Sequence, residues 1–295
     1  MREFNFAVTN DFDGRDIKFI LKNYWGLSDN LIKKLKKDEG ILLNGKNEFV
    51  VKKVRTGDIL CLNFIEEGSP GIIPEDIPIS ILYEDDDILA VNKPGNMPTH
   101  PSIGHFGGTL ANAVMYYFKD APFTFRAVTR LDRDTSGVVI IAKNAPCCHR
   151  LSKQLISGDF KKEYVALCVG APDLKIGRIN APIMREKEGI IKRCINSSGK
   201  TAITDYEVIG IYGEFSLIRL FPKTGRTHQL RLHLSHIGTP IFADFLYGEA
   251  VGNERIRLHA ECVTFIHPFS GKEMKISAPI PDDMNPEMRL FPKIG

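Results

Sequence analysis

The sequence is poor in the features that mark several special classes of protein. Its longest unbroken aliphatic run, Val138 to Ala142, falls far short of the ~20 apolar residues that a membrane-crossing helix needs. Arg2 and Glu3 open the chain with no apolar stretch behind them, so no secretory signal is expected. The six cysteines include no C-x-x-C pair and are too sparse for a disulfide framework. They read as reduced thiols of a cytoplasmic protein. There is no internal repeat and no low-complexity tract.

Recognisable cofactor and metal sites are also lacking. His228, His233 and His236 are spaced by five and three residues. Zinc-binding helices use an i, i+4 pair, and no acid completes the set, so no metal is expected. Asp132 to Gly137 imitates the start of a calcium loop, but Lys143 stands where the twelfth-position glutamate belongs. Gly199-Lys200-Thr201 imitates a phosphate loop, but Cys194 occupies the position of its first glycine. Ser197-x-x-Lys200, Ser28-Asp29-Asn30 and Lys223-Thr224-Gly225 are the β-lactam-enzyme elements in the wrong order.

What remains is an ordinary globular composition, 43% hydrophobic and 25% charged. The net charge of +3 conceals a pattern. Residues 1–65 carry 12 basic and 9 acidic side chains, residues 66–90 carry eight acids and no base, and the rest carries an excess of eight positive charges. Two basic modules flanking an acidic joint permit a polyanionic partner. The joint, Glu66-Glu67-Gly68-Ser69-Pro70-Gly71 with Pro74 and Pro78, opposes packed structure. The expected division is a small domain over 1–66, a linker over 67–79 and a larger domain over 80–295.

In the small domain, Ile17, Ile20, Leu21 and Tyr24 repeat at helical spacing. Ser28 can cap a second helix with Leu31, Ile32 and Leu35 on one face and Lys33, Lys34, Lys36 and Lys37 on the other, with Gly40 ending it. Strands are expected at Ile41–Leu43 and Ile59–Phe64, with Asn44-Gly45 as a hairpin turn. On charge alone, the lysine face reads more simply as a solvated surface than as an RNA contact. In the larger domain, strand-like runs at 79–83, 88–91, 138–142, 164–169, 201–209 and 216–221 alternate with helical patterns at 109–118 and 147–156. This spacing predicts an α+β fold built on a largely antiparallel sheet.

Two stretches carry chemistry. Arg130-Leu131-Asp132-Arg133-Asp134-Thr135-Ser136-Gly137 runs into the apolar strand 138–142, which places Asp132 in a turn at the mouth of a rigid strand. Read alone, Asp132 or Asp134 is better explained as capping the turn. Arg231 lies in a stretch whose periodicity fits both strand and helix, and an arginine there can hold a carboxylate ionised or stand exposed without a role.

Together these stretches resemble the RluA-type pseudouridine synthases, in order and over nearly the whole chain. Ile88 to Gly95 is similar to the family's strand and Lys-Pro turn, RLDRDTSG at 130–137 to its catalytic loop, and Lys162-Glu163-Tyr164-Val165-Ala166 to its tyrosine strand. TGRTHQLRLHLSHIGTPIFADFLYG at 224–248 is similar to its arginine helix and following loop. The N-terminal module resembles the S4 RNA-binding domain of the RluC- and RluD-like members. The resemblance implies isomerisation of uridine in structured RNA, with Asp132, Tyr164 and Arg231 catalytic. Arg130 would take the place of the displaced base, and Lys33, Lys34, Lys36 and Lys37 would contact phosphate. It further implies no cofactor, a 23S-type large-subunit rRNA substrate and a cytoplasmic monomer. The same reaction on tRNA and a non-catalytic RNA-binding or ribosome-assembly role are the alternatives. One departure is Thr129, where the family often has histidine.

Overall fold

The computed structural model describes residues 2–102 and 106–285. Residues 2–64 build β1 (Arg2–Ala7), α1 (Ile17–Asn23), α2 (Asp29–Lys37), β2 (Ile41–Leu43), β3 (Lys46–Asn47) and β4 (Ile59–Phe64). The strands pair antiparallel in the order β1-β4-β2-β3. The capping chemistry works as its residues dictate: Asp16 accepts from the Phe19 N–H at 2.7 Å, and Ser28 from the Leu31 N–H at 3.2 Å. Asn44 and Gly45 both take positive φ, 51° and 79°, as a tight hairpin of this twist requires.

Two details differ from expectation. β1 was not anticipated, although Phe4, Phe6 and Val8 alternate into the core. The chain turns left-handed at Glu39 (φ 52°), before Gly40. Gly40 serves close packing instead, because a Cβ there would run into the Asn63 carbonyl.

The rest of the chain forms β5 (Ser80–Glu84), β6 (Ile88–Lys93), α3 (Leu110–Tyr117), β7 (Ser136–Ala142), α4 (Ala145–Ser157), β8 (Lys161–Val169), β9 (Ile176–Asn180), β10 (Ile183–Arg185) and β11 (Arg193–Ile195). After these come β12 (Ile203–Tyr212), β13 (Phe215–Pro222), α5 (Gln229–His236), β14 (Leu258–Ile266) and β15 (Glu273–Ser277). β10 and β11 stand apart as a ribbon. The others make one sheet in the order β5-β6-β7-β14-β8-β13-β12-β9, with β15 also paired to β14. Among the described residues only β7 and β14 run parallel, so the α+β class stands.

Both faces of the sheet centre are covered. Leu89, Val91, Val139 and Ile141 pack with α3 and α5 through Leu110, Val114, Leu230 and Leu234. The alternate residues Ile88, Ala90, Val138 and Ile140 pack with Cys147 and Leu151 of α4. A strand buried on both sides must be apolar at every position, which accounts for the run at 138–142. At the parallel contact, Gly137 (φ 115°) lies opposite Ala260, and any Cβ would overlap the Ala260 backbone.

The joint is more tightly held than its composition suggests. Arg126 pairs with Glu66 at 2.8 Å, Ser69 Oγ accepts from the Phe125 N–H, and Ile72 is buried in the core of the larger sheet. The N-terminal module also meets α4, through the turn after α1. The Arg150 guanidinium lies 5.0, 5.2 and 4.8 Å from the rings of Tyr24, Trp25 and Phe269, and donates to the carbonyls of Pro268 and Tyr24. Among the described residues, no helix is long and apolar enough to cross a membrane.

Candidate active site

The loop carrying Asp132 is fixed from both sides. Lys93, fully buried at the end of β6, donates its ammonium protons to the carbonyls of Pro94 (2.8 Å), Met97 (2.7 Å) and Arg133 (3.1 Å). The Thr99 hydroxyl donates to the Leu131 carbonyl and accepts from the Leu131 N–H, while the Leu131 side chain enters the core. Thr129, the departure from the family pattern, is buried and caps the Ile140 N–H of β7 at 3.1 Å. Asp132 therefore projects from a rigid base, with its side chain 37% exposed.

Burial pushes the Lys93 ammonium down to about 7 against the opposing pull of Asp134 and Asp132. Its ordinary value is 10.5, so between those limits the unfolded chain holds the extra proton. Stability should then rise with pH across that window, by at most about 1.4 kcal/mol per pH unit. Lys93→Met should flatten the rise, read as the change in urea-unfolding free energy between about pH 7 and 9.5. An equal rise in both proteins would rule out Lys93 as its source.

Asp132 opens onto a cleft of about 900 Å³, lined among others by Arg130, Lys162, Tyr164, Arg185, Arg226, His228 and Arg231. The ambiguous stretch is helical, as α5, and its Arg231 is buried rather than exposed. The arginine is fixed by Asp244, which no sequence pattern had singled out. Asp244 accepts from Arg231 Nε and Nη2, both at 2.7 Å, in a fork-to-fork pair. Its Oδ1 also receives the N–H groups of Leu246 and Tyr247. The remaining nitrogen, Nη1, is directed at Asp132 Oδ2, 4.0 Å away. Burial opposes the charge of Arg231, but Asp244 and Asp132 more than offset it and raise its pKa.

Tyr164 lies on β8 among the core residues. Burial, with the charge of Asp132, pushes its phenol pKa up, so it stays protonated near neutrality. It can donate a proton or present a ring face, but not act as a ready base. Arg130 is exposed at the cleft. Burial pulls the Lys162 ammonium down.

The structure thus brings Asp132, Tyr164, Arg231 and Arg130 around one cleft. The α2 lysines lie in the other sheet's layer, where Lys33, Lys36 and Lys37 are exposed. Lys34 differs, donating to the Ile65 carbonyl at 3.1 Å and pairing with Glu67 at 3.2 Å. The three histidines do not converge. His233 is buried between Thr204 Oγ1 and the Ala181 carbonyl, His228 faces Tyr247, and His236 is exposed. Among the described residues, one group, Asp85, Asp87 and His267, has ligand atoms within 4.8 Å of one another. Its Asp85 oxygens already accept from Tyr83, His267 and two backbone N–H groups.

A family model described as RNA pseudouridylate synthase matches residues 87–236. The chain is similar to an uncharacterized RNA pseudouridine synthase of Chlorobaculum parvum, 35% identical over 90% of each chain. It is also similar to the ribosomal large subunit pseudouridine synthase D of Escherichia coli strain K12, 35% identical over 84% of this chain and 81% of that one. Among solved structures, human RNA pseudouridylate synthase domain containing 1 aligns with a TM-score of 0.57 at 31% identity, covering 73% of this chain and 86% of that one.

Proposed function

Because the chain belongs to the RNA pseudouridylate synthase family, whose reaction turns uridine in RNA into pseudouridine, we propose that Asp132, Tyr164 and Arg231 carry that reaction here and that the substrate is large-subunit ribosomal RNA. The observation that carries the site assignment is the line from Asp244 through Arg231 to Asp132 on the cleft wall. Attack on the sugar, attack on the base ring and proton abstraction all need Asp132 as an ionised carboxylate. Arg231 holds a cation beside it at a fixed angle, with its own charge already balanced by Asp244.

A base inside a helix is out of reach, so the target nucleotide must leave its stack. Arg130, exposed beside Asp132, takes the vacated place, and the protonated Tyr164 packs on or donates to the uridine. The product has the same atoms as the substrate, so the net reaction calls for no oxidant or energy source. The ribosomal substrate is supported by the name of the Escherichia coli relative and by the exposed Lys33, Lys36 and Lys37 of a module seated beside the cleft domain. Lys34 serves the joint first and contributes less. The enzyme works as a cytoplasmic monomer without metal.

A carbodiimide-stop map of total RNA from cells with and without this protein tests the substrate. Stops should vanish from a few large-subunit positions on deletion and return with wild type but not with Asp132→Ala. Stops lost from tRNA alone would move the substrate there, and an unchanged map would leave only RNA binding.

A further inference from the structure

His228 is held in a way that helix formation does not explain. It occupies the N-cap of α5 with φ 56° and ψ 20°, yet its side chain makes no capping hydrogen bond. A left-handed conformation is costly for a residue with a branched or bulky side chain, and glycine or asparagine would adopt it more easily. The imidazole is used elsewhere. Nδ1 lies 2.9 Å from the Tyr247 hydroxyl, and that hydroxyl accepts the Arg193 N–H at 2.8 Å.

A backbone N–H can only donate, so the phenol oxygen is the acceptor in the second bond. The arrangement that satisfies all three groups has the phenol donating its proton to Nδ1. The imidazole proton then resides on Nε2, at the ring edge away from Tyr247, and His228 lines the cleft beside Asp132 and Arg231. Burial holds His228 neutral, with Arg231 acting in the same sense and Asp132 against it. Tyr247 is itself part of the arginine clamp. Its N–H binds Asp244, and Arg231 lies 5.3 Å from its ring. Among the described residues, no hydrogen bond joins His228 to Asp132.

Resting on the reading of the site given above, we propose that His228 donates its Nε2–H to the uracil carbonyl oxygen that gains charge as the N1–C1′ bond breaks. The electron pair of that bond passes to N1 and spreads over the ring carbonyls. C5 then bonds to C1′, the C5 proton leaves and N1 takes one up, so atoms and electrons balance. A donor aimed at charge that develops only during reaction lowers the barrier without tightening ground-state binding. A neutral donor suits a carbonyl, while phosphate is served by the cations Arg185 and Arg226 around the same cleft.

The test is single-turnover tritium release from a large-subunit rRNA transcript labelled at uridine C5, with enzyme in excess. His228→Phe should lower the saturating rate about 100-fold and leave the half-saturating enzyme concentration within about twofold. His228→Gln, which places an N–H near the Nε2 position, should recover at least about tenfold, and His228→Asn, which reaches only the Nδ1 position, should not. A backbone role predicts the reverse order, because asparagine tolerates positive φ better than glutamine does.

The proposal is overturned by a rate for His228→Phe within about threefold of wild type, by asparagine outperforming glutamine, or by a loss confined to half-saturation. If His228→Phe does not fold, Tyr247→Phe frees the tautomer and should slow the saturated step about tenfold; no slowing there overturns it equally. A wild type that releases no tritium counts against the parent reading instead.

Discussion

Asp132→Ala should reduce pseudouridine formation by at least about four orders of magnitude, with RNA affinity and thermal stability nearly unchanged. Both halves of that expectation come from the loop. Among the described residues, the carboxylate makes no hydrogen bond, and its nearest cation is Arg231 Nη1 at 4.0 Å. The loop is held by its backbone and its neighbours, through Lys93 to the Arg133 carbonyl, Thr99 to Leu131, and the Thr135 N–H to the Asp132 carbonyl. Removing the side chain leaves all of these in place, so the stability change should stay within about 0.5 kcal/mol. Tritium release, filter binding and a melting curve on the same preparation decide it. A variant that loses stability together with activity would make Asp132 structural, and one keeping about a hundredth of the activity would move the chemistry elsewhere.

Asp244→Ala should be the converse, a lesion of the fold as much as of the reaction. The Asp244 carboxylate is fully buried, and its two oxygens receive two guanidinium nitrogens and two backbone N–H groups. Its removal strands a buried cation, which costs about 3–5 kcal/mol. For a chain of this size that is a fall in Tm of roughly 10 °C. Arg231→Lys should be nearly as inactive although it keeps the charge, because an ammonium cannot grip Asp244 with two parallel bonds and still face Asp132. Differential scanning calorimetry on both variants tests the clamp. A shift under about 2 °C for Asp244→Ala would mean that Arg231 finds another anion at no cost.

Much of this was legible from residue order because its causes are local. Ser28 caps its helix through a contact three residues on, and Asn44-Gly45 turns within the hairpin it closes. The run at 138–142 declares a strand covered on both faces. Asp132 stood out only through the resemblance of its loop and the strand after it to the family's motif, because its residues alone read more simply as a turn cap. The pieces that escaped depend on distant partners. Asp244 meets Arg231 across a helix end and a turn, a pairing without a periodic signature. Lys34 looked like one of four equivalent lysines, and only the fold puts Ile65 and Glu67 beside it. The joint looked unpackable by composition because Arg126 and Phe125, which tie it down, lie about 60 positions further on.

The contact around Arg150 bears on how a substrate must be shaped. The turn after α1 is seated on α4, where Arg150 lies over the Tyr24 and Trp25 rings and donates to the Tyr24 carbonyl, so the N-terminal module carrying α2 is fastened to the domain of the Asp132 cleft. If α2 is the anchor proposed above, the distance between it and the Asp132 cleft would act as a caliper on the RNA. Candidate uridines would then be sorted by their spatial offset from the gripped phosphates, and a target at another offset would be reached only by bending the RNA.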